Sequence, residues 1–113
     1  MLPHQFFKLL SDETRVRCLL IIAREEKVCV GELTEALNES QPKISRHLAL
    51  LRSSGVVMDT RQGQWVFYRL SDQLPGWMKK QIKGLIESSC LKQEYQQDIQ
   101  RLSEMKSRPE CCV

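Results

Sequence analysis

A chain of 113 residues with 42% apolar side chains can bury one modest core, and not two. Its net charge is only +3, no apolar run is long enough to cross a bilayer, and the first ten residues lack a signal-like apolar stretch, so membrane and secreted classes are set aside and a cytoplasmic protein is expected. Five cysteines are an odd number within a helical pattern, and they read as reduced thiols rather than a disulfide framework.

Residues 1–10 carry Leu2, Phe6, Leu9 and Leu10 at helical spacing and predict a short first helix. Ser11 is placed to cap a second, with Asp12 and Glu13 at its positive end and Val16, Leu19, Leu20 and Ala23 as its core stripe to about Arg24; Cys18 lies within it. Val30, Leu33 and Leu37 share a face of a third helix, and Asn38-Glu39-Ser40 turns the chain into a fourth. There Ser40 is the candidate cap, Pro42 sits where a missing N–H costs nothing, Ile44, Leu48 and Leu51 form the buried stripe, and Gly55 stops the helix. A helix-turn-helix over about 30–54 results. Val56 to Thr60 and Trp65 to Leu70 are β-branched and aromatic runs around Arg61-Gln62-Gly63-Gln64, which predicts a two-stranded hairpin over about 56–70. After Pro75, one apolar set (Trp77, Met78, Ile82, Leu85, Ile86) and another (Leu91, Tyr95, Ile99, Leu102, Met105) predict one long helix or two consecutive ones to about 106. Residues 107–113, with Cys111 and Cys112, lack periodicity and read as a flexible tail. The fold class is mainly α (α+β): a winged helix-turn-helix in a single domain over 1–106.

With its stripe facing the core, the fourth helix turns Lys43, Ser45 and Arg46 outward and leaves Gln41 and His47 at the edges. These side chains, with Arg61, Gln62 and Gln64 at the hairpin tip, can donate to phosphates and base edges, so the helix reads as a DNA-recognition helix beside a wing. Between Gln41 and Leu70, Lys43, Arg46, Arg52, Arg61 and Arg69 face the single acid Asp59, a local +4 on a chain of +3. The partner expected is a double-stranded DNA operator. No catalytic constellation accompanies it: the histidines are His4 and His47 alone, and there is no glycine-rich phosphate loop, so no enzyme is expected. The apolar helical surface after Leu70 exceeds what a finished winged-helix core can cover, and a second copy is the economical partner, giving a homodimer through about 1–10 and 75–106.

Leu10-Ser11-Asp12-Glu13-Thr14-Arg15, Ser40-Gln41-Pro42-Lys43-Ile44-Ser45-Arg46-His47-Leu48 and Gln62-Gly63-Gln64-Trp65-Val66-Phe67-Tyr68-Arg69-Leu70 together resemble the ArsR/SmtB family of winged-helix repressors. The likeness is strongest to its arsenical-sensing ArsR branch and covers nearly everything from Phe7 to Leu70. It implies the winged-helix fold, a dimer formed by the first and last helices, and release of DNA when an inducer binds.

In that branch the helix before the recognition helix opens on Cys-Val-Cys, with a third cysteine three residues on. Here the segment is Cys29-Val30-Gly31-Glu32-Leu33-Thr34, with Gly31 and Thr34 where two thiols would stand, so the usual three-thiol site does not carry over. Zinc on the last helix would need histidine and carboxylate pairs, and residues 75–106 contain no histidine. Cys90, Cys111 and Cys112 remain, thiolates suited to a soft ion, the vicinal pair able to close onto a third thiol. The expectation is a trivalent arsenical, arsenite or methylarsenite, as inducer on Cys90, Cys111 and Cys112, with Cys29 as the alternative and no cofactor. Cys18 and Cys90 are similar in position to the paired thiols of persulfide and redox sensors of the same family, so a thiol-redox repressor is a second reading. A DNA-binding module without a ligand is a third.

Overall fold

The computed structural model describes residues 1–104, apart from the side chains of Ser89, Cys90 and Lys92. The expected tail over 107–113, with Cys111 and Cys112, lies outside the described residues. Pro3 opens α1 (Pro3–Leu9), and Gln5 Oε1 accepts the Leu2 N–H at 2.8 Å, so the helix is shorter than the 1–10 expected. The next helix, α2 (Glu13–Glu25), is capped by Asp12 and not by Ser11: the Asp12 carboxylate accepts the Arg15 N–H at 3.1 Å. Ser11 is already committed, its hydroxyl donating to the Lys8 carbonyl at 2.6 Å to close α1.

Helix ends set the bend of the helix-turn-helix. In α3 (Val30–Leu37) the left-handed residue is Asn38, at φ 54°, and the N–H groups of Asn38 and Glu39 return to Glu35 and Thr34. In α4 (Gln41–Ser53) it is Gly55, at φ 84°, with the N–H groups of Gly55 and Val56 returning to Arg52 and Leu51. Both are the 5→2 and 6→1 bonds of a Schellman ending, and in the second Val56 packs into the core alongside Leu51. Between them Ser40 holds the cap position of α4 with extended backbone but without a side-chain bond, and Pro42 follows in the first turn as expected.

Leu19 and Ile22 of α2, Leu33 and Leu37 of α3, and Ile44, Leu48 and Leu51 of α4 form the core, none more than 1% exposed. The wing has three strands, not the expected two. Val28–Cys29 forms β1, which pairs antiparallel with β3 (Trp65–Leu70) through Val28 to Tyr68 and Cys29 to Phe67; β2 (Val57–Gln62) lies on the other side of β3. A two-residue strand carries too little alternation to be read from sequence. The hairpin is also tighter than expected: Gln62 pairs with Trp65, leaving Gly63 at φ 63° and Gln64 as the loop, with glycine at the first central position as a type II′ turn requires.

Among the described residues the C-terminal region has three helices instead of one or two: α5 (Gly76–Glu87), α6 (Ser89–Glu94) and α7 (Gln96–Ser103). Ser88 breaks the first from the second, taking extended backbone and capping Leu91 N–H at 3.3 Å, and Tyr95 at φ −106° breaks the second from the third. The last helix then folds back on α3. Asp98, 4% exposed, accepts from Arg17 Nε at 2.9 Å, from a terminal Arg17 nitrogen at 2.8 Å and from Arg101 at 2.9 Å. Each arginine also donates to a carbonyl at the end of α3, Arg17 to Leu37 and Arg101 to Ala36, both at 2.7 Å. Leu102, expected at a dimer surface, is 4% exposed inside this fold. Apolar surface remains on α1, where Leu2 and Phe7 are 60% and 54% exposed while Phe6 is buried edge-on to Trp77 of α5 at 5.5 Å.

Candidate nucleic-acid interface

Once Ile44, Leu48 and Leu51 are in the core, the helical period leaves Gln41, Ser45 and Arg46 exposed on the outer face of α4. Lys43 is half-buried and bonded to Glu39, one turn back, at 3.2 Å. Arg61, Gln62 and Gln64 are exposed at the wing tip. Of the five basic residues counted between Gln41 and Leu70, Arg52 pairs with Asp59 at 3.3 Å and Arg69 with Asp72 at 2.7 Å, so Arg46 and Arg61 are left without an ion pair among the described residues. Lys27, not picked out in the sequence, adds to the wing: its ammonium lies 4.1 Å over the Phe67 ring and 3.3 Å from Gln62 Oε1. It immediately precedes β1, and it was illegible for the same reason as that strand.

His47 does not join this face. It is 5% exposed, with Nδ1 3.4 Å from an Arg15 nitrogen and Nε2 3.7 Å from Asp12 Oδ1. Arginine only donates, so Nδ1 accepts and the neutral ring carries its proton on Nε2, toward Asp12. Position 47 is one residue before Leu48, and the core took the edge of the stripe as well as its centre. The sequence period left that edge undecided.

The sequence of residues 12–59 matches the model of the arsR family of bacterial regulatory proteins. The chain is 51% identical over 112 residues to the arsenic resistance transcriptional regulator ArsR1 of Pseudomonas putida, an alignment covering 98% of this chain and 85% of that protein. The chain belongs to the arsR family. The arsenical resistance operon repressor of Escherichia coli is 54% identical over 82 residues, 73% of this chain and 70% of that one. Among solved structures, reduced HlyU from Vibrio cholerae superposes with a TM-score of 0.66 at 34% identity, covering 75% of this chain and 85% of HlyU, which agrees with the winged-helix architecture. This arsR-family chain is therefore a DNA-binding transcriptional regulator and not an enzyme. No helix among its described residues is long and apolar enough to cross a membrane.

The expectation of reduced thiols holds for Cys18 and fails for Cys29, which is disulfide-bonded. Cys18 is buried in α2, and burial pushes its thiol up to about 12, so it holds almost no thiolate at neutral pH for oxidation or for a soft ion. Cys29 ends β1 and begins α3, and its N–H is accepted by the buried Glu32 carboxylate at 3.1 Å. Cys90 lies on α6, and Cys111 and Cys112 are outside the described residues. No three His, Cys, Asp or Glu side chains gather as a metal site among the described residues.

Burial pushes the His47 pKa below its ordinary value, and Arg15, Arg46 and Lys43 push the same way against Asp12. The unfolded chain takes up this proton near pH 6.5 and the folded chain only at lower pH, so stability is full above about pH 6.5 and falls as acidification carries the unfolded state through that value. Denaturant midpoints between pH 7.5 and 5.5 should fall for the wild type and fall less for His47→Gln. Equal slopes would show that His47 takes up its proton in the folded state as readily as in the unfolded one. Asp12, whose pKa is lowered chiefly by the Arg15 N–H, adds its own loss only at more acidic pH, as its carboxylate is protonated.

Proposed function

We propose that this chain is a metalloid-responsive repressor of arsenic-resistance genes, which holds its operator as a homodimer and releases it on binding a trivalent arsenical, arsenite or methylarsenite. The observation that carries the DNA half is the juxtaposition of the exposed Gln41, Ser45 and Arg46 of α4 with Arg61, Gln62 and Gln64 of the wing, the pairless Arg46 and Arg61 supplying positive charge to both. Support for the signal comes from the printed functions of the arsenic-resistance relatives and from the cysteines. Cys90, Cys111 and Cys112 are the proposed donors, with Cys29 as the alternative. Support for the dimer is the exposed Leu2 and Phe7 on α1, beside the α5 residue Trp77 that packs against Phe6.

In reducing buffer, arsenite or methylarsenite should release a labelled near-palindromic operator, zinc should not, and the protein should sediment as a dimer. A dimer would seat its two recognition helices in successive major grooves about 34–36 Å apart. Operator binding that no trivalent arsenical weakens would remove the proposed signal, and a monomer binding one per operator would remove the dimer.

A further inference from the structure

We propose that Glu39 sets the DNA affinity of this regulator by exchanging partners: it holds Lys43 in the free protein and passes to Arg17 when Lys43 moves to a phosphate of the DNA backbone. The inference rests on the DNA-facing reading of α4 given above and is independent of the inducer.

Glu39 stands between two cations. Its Oε1 lies 3.5 Å from a terminal nitrogen of Arg17, and its Oε2 lies 3.2 Å from Lys43 Nζ. The ending of α3 fixes its backbone, the Glu39 N–H donating to the Thr34 carbonyl at 3.3 Å, so the carboxylate is presented at the entrance to α4. Lys43 lies in the first turn of α4, where the aligned peptide dipoles disfavour a cation and favour an anion. An anion beside this lysine offsets both its charge and the dipole. In the free protein that anion is Glu39, and on DNA a backbone phosphate takes the same place, since lysine ammonium groups and the N–H groups of a first turn both favour phosphate.

Giving up the pair costs little. Both side chains are partly exposed, Lys43 by 38% and Glu39 by 27%, and an ion pair in reach of water and salt contributes little free energy. A carboxylate left alone beside an incoming phosphate would repel it, and Arg17 prevents that. Its Nε and one terminal nitrogen are committed to Asp98, and that terminal nitrogen also donates to the Leu37 carbonyl. The guanidinium is therefore held in place, and its other terminal nitrogen faces Glu39. At 3.5 Å this contact is longer than a strong hydrogen bond while Lys43 competes for the same carboxylate, and it can shorten once Lys43 leaves. Arg17 is a positioning residue for this exchange, and through it Asp98 of α7 is tied to the entrance of the recognition helix.

The test is a double-mutant cycle on the full-length protein, with Glu39→Gln, Lys43→Met and the two combined, in anisotropy titrations on a near-palindromic operator and a scrambled duplex. Glu39→Gln should tighten binding to both duplexes about two- to fivefold, because Lys43 no longer has to be released. Lys43→Met should weaken binding to both and reduce the magnitude of the salt slope by about one. In the combined variant the gain from Glu39→Gln should vanish. A gain that persists without Lys43 would overturn the exchange, because it would come from plain repulsion between Glu39 and DNA; so would a Glu39→Gln protein that binds no more tightly than the wild type. Nitrogen NMR of the arginine side chains gives a readout that stability alone does not move: rotation about the Arg17 Cζ–Nη bonds should slow when the scrambled duplex is added, and rotation that DNA leaves unchanged would refute the handover. If Arg46→Ala and Arg61→Ala weaken binding while Lys43→Met does not, this inference fails and the DNA surface proposed above stands.

Discussion

Asp98→Ala should destabilise the protein by about 3–5 kcal/mol, because it removes one partner from a buried ionic cluster and leaves the others charged. The side chain of Asp98 is 6% exposed and that of Arg17 14%, so neither recovers its hydration when the pair is broken. Arg17 keeps the Leu37 carbonyl and a 3.5 Å contact to Glu39, and Arg101, 34% exposed, keeps Ala36, which places the expected loss toward the lower end. At fixed protein concentration the melting temperature should fall by about 10 °C or more. Asp98→Asn, which keeps the shape and one acceptor, should cost less. A change under about 1 kcal/mol for the alanine variant would mean that the cluster contributes geometry and little free energy.

Arg46→Ala should weaken specific operator binding by about 1–3 kcal/mol, a factor of about 5 to 150, if the guanidinium reads a base edge. Arg46 suits that role because it is exposed on α4 and has no ion pair among the described residues to break first, whereas Lys43 must leave Glu39. Arg61→Ala, at the wing, should weaken specific and non-specific DNA alike and reduce the magnitude of the salt slope by about one, as the loss of a phosphate contact does. Anisotropy titrations on operator and scrambled duplex at several salt concentrations separate the two. Unchanged binding by both variants would move the DNA surface elsewhere.

What was legible from sequence was whatever repeats. Ile44, Leu48 and Leu51 announce α4 by their period, Asn38 and Gly55 announce its borders by the left-handed backbone they tolerate, and the aromatic run from Trp65 announces β3. What was hidden depends on partners distant in the chain. Asp98 looks like one more acid on a polar helix until Arg17, 81 positions away, is brought against it. His47 lies at the edge of its stripe, and only Asp12 and Arg15 of the preceding helix region decide that it turns inward. The breaks at Ser88 and Tyr95 carry neither proline nor glycine, and the apolar spacing runs through them unaltered. The outward placing of Gln41, Ser45, Arg46, Arg61, Gln62 and Gln64 was therefore readable, and the inward turn of His47 was not.

Cys29 belongs at once to a strand and to a helix, as the last residue of β1 and the cap of α3. Mechanically it is a pin shared by two elements. Its register with Phe67 fixes which face of β1 each residue takes, and a slip of one position would draw Val28 out of the main core toward the side where Cys29 packs with Phe67, so the ladder resists sliding. A pull on this residue must either unzip two rungs or drag β3 along its axis, and β3 begins at Trp65, beside the hairpin tip. Tension applied at the start of α3 would in this way be carried along β3 to Trp65, some distance from the point where it was applied.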